Sequence, residues 1–202
     1  MTKLLKKAAF AATVSGFVLG ATPAFAQSAT QQSANGTATV KIYSPLSIAA
    51  PTAADSVVDF GILVGTRGGV IAPRSANDFV IDATAAPTAA SVCTGAVNWS
   101  CSGTPRRAQY VVSGSTDSVV NVWLTAGTID LVRSGGVATN PDDVVPLDLA
   151  LSETVDSNSD GYADLTLSTG SADVYVGGTL HVSDTDFDGV YTGTFQVNAD
   201  YQ

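Results

Sequence analysis

Glutamate is almost missing from this chain of 202 residues: Glu153 is the only one, against 17 aspartates. Lysine is scarce too, and the chain holds one histidine and two cysteines. The shortage of Glu and Lys removes residues that suit helix interiors, while abundant Asp, Gly, Ser and Thr favour turns and strands. No convincing helical stretch follows residue 26. With only His181, Cys93 and Cys101 at hand, a four-ligand zinc site cannot be assembled. No G-x-S-x-G elbow presents a nucleophile to His181, which reads as an incidental strand residue. No pair among the 18 acids stands out as glycosidase carboxylates. No enzyme is expected.

Long apolar runs are also lacking. Lys3, Lys6 and Lys7, the apolar stretch Ala8 to Gly20 and the small-residue motif Ala24-Phe25-Ala26 form a signal peptide over residues 1–26, with cleavage before Gln27. Nothing later approaches the roughly 20 apolar residues of a membrane span, so no integral membrane segment is expected after cleavage. The chain from Gln27 keeps six cations (Lys41, Arg67, Arg74, Arg106, Arg107, Arg133) against 18 acids, a formal charge of −12. Such a surface repels phosphate backbones and anionic lipid, which argues against a nucleic-acid partner. In an exported chain, Cys93 and Cys101 most simply form a disulfide that staples the segment between them.

Residues 27–36 read as a flexible polar leader and 37–202 as one domain. Short alternating runs separated by turn residues predict strands at 57–64, 79–83, 108–113, 118–125, 128–133, 145–153, 163–168 and 172–182. Ala38, Val40 and Ile42 share one face of a first candidate strand. The segment 84–107 reads as a long loop or an inserted hairpin. The expected fold is all-β: an antiparallel immunoglobulin-like sandwich with Greek-key connections, a closed barrel being the alternative.

Two Asp-rich runs share the pattern D-x-[DN]-x-D-G. Asp156, Asn158 and Asp160, followed by Tyr162 and Asp164, form the first; Asp184, Asp186 and Asp188 form the second. Each reads first as an Asp-Gly turn and second as a weak calcium loop. Neither has the position-12 glutamate, where Leu167 and Phe195 stand. Apart from that weak calcium, no cofactor is expected. Trp123, in an apolar strand, reads as a core anchor; Trp99, inside the disulfide loop, reads as the more exposed of the two.

Most informative is the C-terminal stretch. Tyr191, Gly193, Phe195, Val197, Ala199 and Tyr201 alternate with polar residues after Gly189, which predicts an amphipathic strand. Its outer edge is expected to be covered by another protein, since an open edge invites pairing.

The ordered motifs P-L-S-I (Pro45 to Ile48), V-D-F-G (Val58 to Gly61), V-G-G-T-L-H-V (Val176 to Val182) and Y-T-G-T-F-Q-V (Tyr191 to Val197) resemble the domain-of-unknown-function 4402 family of exported Gram-negative proteins. That family is similar to spore coat protein U domains and to pilins of the chaperone–usher pathway. The pilin likeness implies a pilin-like sandwich lacking a strand, completed first by a periplasmic chaperone and then, at the outer-membrane usher, by the N-terminal extension of a like subunit. Carried onto this chain, Gly189, Tyr191, Gly193, Phe195, Val197, Ala199 and Tyr201 form the assembly strand, and Ala38, Val40 and Ile42 the donor strand. The expected role is a structural, fimbria-like or coat-like subunit in the periplasm, at the cell surface or outside the cell. A self-complete secreted module that binds calcium or carbohydrate is the alternative.

Overall fold

The computed structural model describes residues 37–66 and 75–202. The expected signal peptide (1–26) and polar leader (27–36) lie outside the described residues. Two units are distinguished: Met1–Val40, of which residues 37–40 are described and form no strand, and Lys41–Gln202, which is the sandwich.

Among its described residues, Lys41–Gln202 has twelve strands: β1 (Ser47–Ala49), β2 (Ile62–Gly65), β3 (Asn77–Ile81), β4 (Trp99–Ser102), β5 (Ala108–Ser113), β6 (Ser118–Leu124), β7 (Thr128–Arg133), β8 (Val144–Leu151), β9 (Ala163–Leu167), β10 (Ser171–Val182), β11 (Tyr191–Thr192) and β12 (Val197–Tyr201). All named pairings are antiparallel. The large sheet runs β1-β5-β10-β8-β7-β11, and β3 also pairs with β10; the smaller sheets are β12-β6-β9 and β2-β4. No helix among the described residues is long and apolar enough to cross a membrane.

The long strand β10 organises the large sheet. One of its edges pairs with β5 over Ser171 to Val176 and then with β3 over Gly178 to Val182. Its other edge pairs with β8. Two cores follow. Val112, Val174 and Val176 of the large sheet meet Val120, Val122, Leu165, Leu167 and Val197 of the three-stranded sheet, so alternating apolar residues of two sheets fill one interior. The other half of the large sheet supplies Phe79, Ile81, Val145, Leu147 and Leu180, which are covered by Phe60, Val92, Trp99 and Cys101.

Except for Phe60, that cover comes from the segment 84–107, expected to be loop or hairpin. It contains β4, paired with β2, and one helical turn, α1 (Ala89–Val92). Thr88 and Ser91 form a reciprocal capping box around α1. Four residues are too few to show a helical period, so no helix was expected there. The disulfide Cys93–Cys101 closes this cover as expected; a loop that short contributes roughly 2–3 kcal/mol by restricting the unfolded chain.

Three strand expectations need correction. The strand expected over 57–64 begins only at Ile62, after the Gly61 turn, with Asp59 making a single bridge to Arg106. Residues 37–42 form no strand, and the first strand of the domain is β1, beyond Pro45. Val40 and Ile42 remain 81% and 86% exposed. The terminal stretch is two strands rather than one. β11 pairs with β7 in the large sheet, Gly193 to Gln196 leave that ladder, and β12 pairs with β6 in the small one. Gly193 permits the switch by close approach: a Cβ there would sit 2.6 Å from Leu131 and 2.9 Å from the Asp130 carbonyl.

Candidate functional site: an apolar groove beside the terminal strand

The V-D-F-G motif builds one wall of the site. Asp59 exchanges two backbone hydrogen bonds of 2.8 Å with Arg106, and its carboxylate accepts the Gly61 N–H at 2.8 Å. Phe60 turns into the second core. Gly61 adopts φ +75°, and a Cβ there would lie 2.5 Å from the Ser102 carbonyl, so only glycine fits. The turn sends Ile62 and Val64 outward with 60% and 52% of their surface exposed.

The opposite wall is the segment Asp186 to Tyr191. Tyr191 donates its hydroxyl to the Phe187 and Asp142 carbonyls, at 2.7 and 3.2 Å. The Phe187 ring receives the Arg133 guanidinium 5.1 Å from its centroid. Arg133 is itself held by Asp143 at 2.5 Å. That contact, joined by the Val137 N–H and the Asn140 amide, keeps the Asp143 carboxyl below its ordinary pKa.

Between the walls lies a groove of about 760 Å³ floored by Leu131, Val145, Leu180 and Val182. It runs beside β11, which pairs only with β7 among the described residues. The next strand along the chain, β12, likewise pairs only with β6 among them. The site is an apolar trough alongside the end of the large sheet.

The expected assembly residues divide by role. Tyr191 packs on the second core; Phe195, Val197, Ala199 and Tyr201 pack on the first. Tyr201 also anchors the end of the strand. Its hydroxyl accepts the Ser115 N–H at 2.7 Å and donates to the Ser44 carbonyl at 2.8 Å, and its ring stacks on Tyr43. Gly189 lies against the Arg133 side chain, where a Cβ would crowd its methylenes at 2.7 Å. The groove walls formed by Ile62, Val64, Phe187 and Val190 were not foreseen, although outward apolar residues on either side of a glycine turn are a readable sign.

The Asp-rich runs are occupied with their own backbone. Asp156 accepts the Asp160 and Gly161 N–H groups at 3.1 and 2.9 Å, Asp160 accepts that of Tyr162 at 3.0 Å, and Asp164 that of Ser157 at 2.8 Å. The Asn158 amide donates to Asp160. In the second run Asp186 is buried and accepts the Ser183 N–H at 2.7 Å, and Asp184 receives the Ser183 hydroxyl. Asp188 belongs to the groove wall. The described residues include no group of three His, Cys, Asp or Glu side chains placed to hold a metal ion.

The two tryptophans exchange their expected places. Trp99 packs edge-on against Phe79 at 5.0 Å and donates its indole N–H to the Ser75 carbonyl. Trp123 alternates with the fully buried Val120 and Val122 and so stands on the outer face of the small sheet.

His181 is not an incidental strand residue. Nδ1 lies 2.8 Å from Asp78 on β3 and Nε2 lies 3.0 Å from Asp148 on β8, so the ring clamps three adjacent strands. Both nitrogens face carboxylates, which favours the doubly protonated ring. The Asp78 hydrogen bond, then that of Asp148, raises its pKa above 6.5. The Thr128 hydroxyl, then His181, lowers that of Asp148 below 3.8. A raised cationic pKa contributes stability that is complete below pH 6.5 and disappears as pH climbs through the folded value. A lowered carboxyl contributes stability that disappears as pH falls below 3.8. The melting temperature is therefore expected to decline above pH 6.5. His181→Gln should flatten that decline, as read by calorimetry in a pH series.

A family model described as Domain of unknown function (DUF4402) matches residues 58–201. The match takes in both groove walls and the terminal strands. No curated protein and no solved structure matches the chain.

Proposed function

Taking as premise that the chain belongs to the domain-of-unknown-function 4402 family, we propose that it is a non-enzymatic structural subunit completed by a strand from a second copy. The observation that carries this reading is the apolar groove between Ile62 and Val64 on one side and Phe187 and Val190 on the other, beside the terminal strands. A ladder edge supplies main-chain hydrogen bonds, and an apolar trough beside it takes every second side chain of an extended peptide. Ala38, Val40 and Ile42 provide that periodicity. Val40 and Ile42 are almost bare, and no strand of the domain uses them. Burying each contributes about 1.5–3 kcal/mol.

Assembly of this kind is head to tail, since groove and donor are different surfaces of one chain. In this reading the chain is exported, a periplasmic chaperone covers the groove before assembly, and an outer-membrane usher exchanges it for the next subunit.

The test is sedimentation of the protein purified from the periplasm, with a synthetic peptide of residues 37–42 as competitor. Association is expected, with dissociation on adding the peptide. Val190→Asp and Ile62→Asp should each abolish association without altering the circular dichroism, because both residues are at least 60% exposed before binding. A monomer at all concentrations that also ignores the peptide would reject the reading and leave a self-complete sandwich.

A further inference from the structure

We propose that the outer face of the three-stranded sheet binds a neutral oligosaccharide of β-linked pyranose rings, on a platform made by Trp123 and Tyr162. This site lies on a different surface from the groove and does not depend on it.

Register defines the face. Asn198 on β12 is directly opposite Trp123 on β6, and Asp200 is opposite Asn121. Val197, Ala199 and Tyr201 pack on the core, so Asn198 and Asp200 point outward beside the indole. Trp123 is partly buried on this outward face, with Tyr162 packed against it. It gains from a ligand with both an apolar and a polar side.

The second ring is positioned rather than incidental. Tyr162 lies with its centroid 4.9 Å from that of Trp123 and its plane tilted by 44°, and it stays 41% exposed. The two rings meet at an angle rather than in a parallel stack, with the Tyr162 ring the more open of the two. The Asp-rich turn before Tyr162 is tied to the sheet beneath it. Asn121 donates to Asp160 at 3.0 Å and Gln202 donates to both Asn121 and Asp164. The carboxylates that read as a calcium loop thus act as the mount for this ring.

Polar capacity remains beside the rings. Among the described residues, the Trp123 indole N–H, the Tyr162 hydroxyl and the Asp200 carboxylate have no hydrogen-bond partner, while Asn198 uses its amide N–H on Thr125 at 2.9 Å and keeps its oxygen free. One donor, one hydroxyl and two acceptors around an aromatic surface is the pattern of a site that fixes orientation with a few polar groups. β-linked pyranoses suit it. Their C–H faces lie against rings, and their equatorial hydroxyls reach sideways to amide and carboxylate. The surrounding Asp160, Asp164 and Asp200 exclude anionic sugars by like charge.

Cellohexaose and chitohexaose are the probes, titrated into ¹⁵N-labelled protein while the two indole N–H resonances are followed, with polygalacturonate as the anionic comparison. Millimolar concentrations of at least one neutral oligomer are expected to move the Trp123 resonance and leave that of Trp99 in place. Tyr162→Ala should weaken binding about tenfold while the fold persists, because the ring is exposed. Trp123→Ala should abolish it, with thermal melting confirming folded protein. The proposal is overturned if neither neutral oligomer shifts the resonance, if Tyr162→Ala binds as tightly as the parent, or if polygalacturonate binds equally well.

Discussion

Gly177→Val is expected to unfold the protein or to lower its stability by about 3 kcal/mol or more. Gly177 lies on β10 where its partner changes from β5 to β3. The chain leaving β3 passes over this residue. A Cβ on Gly177 would sit 2.7 Å from the Ala83 nitrogen and closer still to the Ile81 carbonyl. Those obstacles are backbone, which cannot swing aside as a side chain can. On the neighbouring residue, a Cβ on Gly178 would press on the Asp148 carbonyl of β8. The paired glycines of V-G-G-T-L-H-V are thus where three strands crowd one. Gly177→Ala should show the same defect, milder only in degree. Gly127, where a Cβ meets nothing within 4 Å, is the control. Chemical denaturation of Gly127→Ala is expected to match the parent or to gain a few tenths of a kcal/mol.

Phe79→Ala should cost about 3–5 kcal/mol, which for a domain of this size is a fall of roughly 6–20 °C in melting temperature. Phe79 is fully buried on β3 and packs on Trp99, which joins the disulfide-closed cover to the large sheet. The cavity it leaves lies at the centre of the second core, between the large sheet and its cover. Because Trp99 also borders the groove, the variant is expected to bind the peptide of residues 37–42 more weakly even at temperatures where it stays folded. Calorimetry gives the first effect and peptide titration at 10–15 °C below the new midpoint gives the second. Retention of full peptide affinity would mean that the second core does not hold the groove in shape.

Both expectations concern positions whose importance lies in neighbours far away in sequence, and the same holds for the candidate sites. Strands were legible wherever one face is apolar and the other polar, as in Ala108–Ser113 and Thr128–Arg133, whose limits agree with the structure to the residue. The disulfide was legible from the chain's having only two cysteines, eight positions apart. In Ser118–Leu124 both faces are rich in apolar residues, so the orientation of Trp123 was read wrongly. Asn121, two positions earlier on the same face, is the polar residue that marks this face as turned away from the core, covered here by the Asp-rich turn.

The terminal stretch shows where reading along one strand stops. Its alternation passes without a break through Gly193 to Gln196, where the structure transfers the chain from one sheet to the other. Periodicity records which side chains are buried. It holds no information on which neighbour supplies the hydrogen bonds.

By itself, then, the order of residues determined the all-β class, most strand limits, the cysteine pairing and the buried side of the last segment, because each depends on contacts or preferences within a few positions. Only the folded molecule decided that segments 57–65 and 186–191 face each other across an apolar trough, that His181 holds three strands, and that Trp123 meets Tyr162. Those arrangements join residues tens to more than a hundred positions apart. Such meetings follow from strand order and register, which the pairing of whole sheets settles and no local pattern encodes.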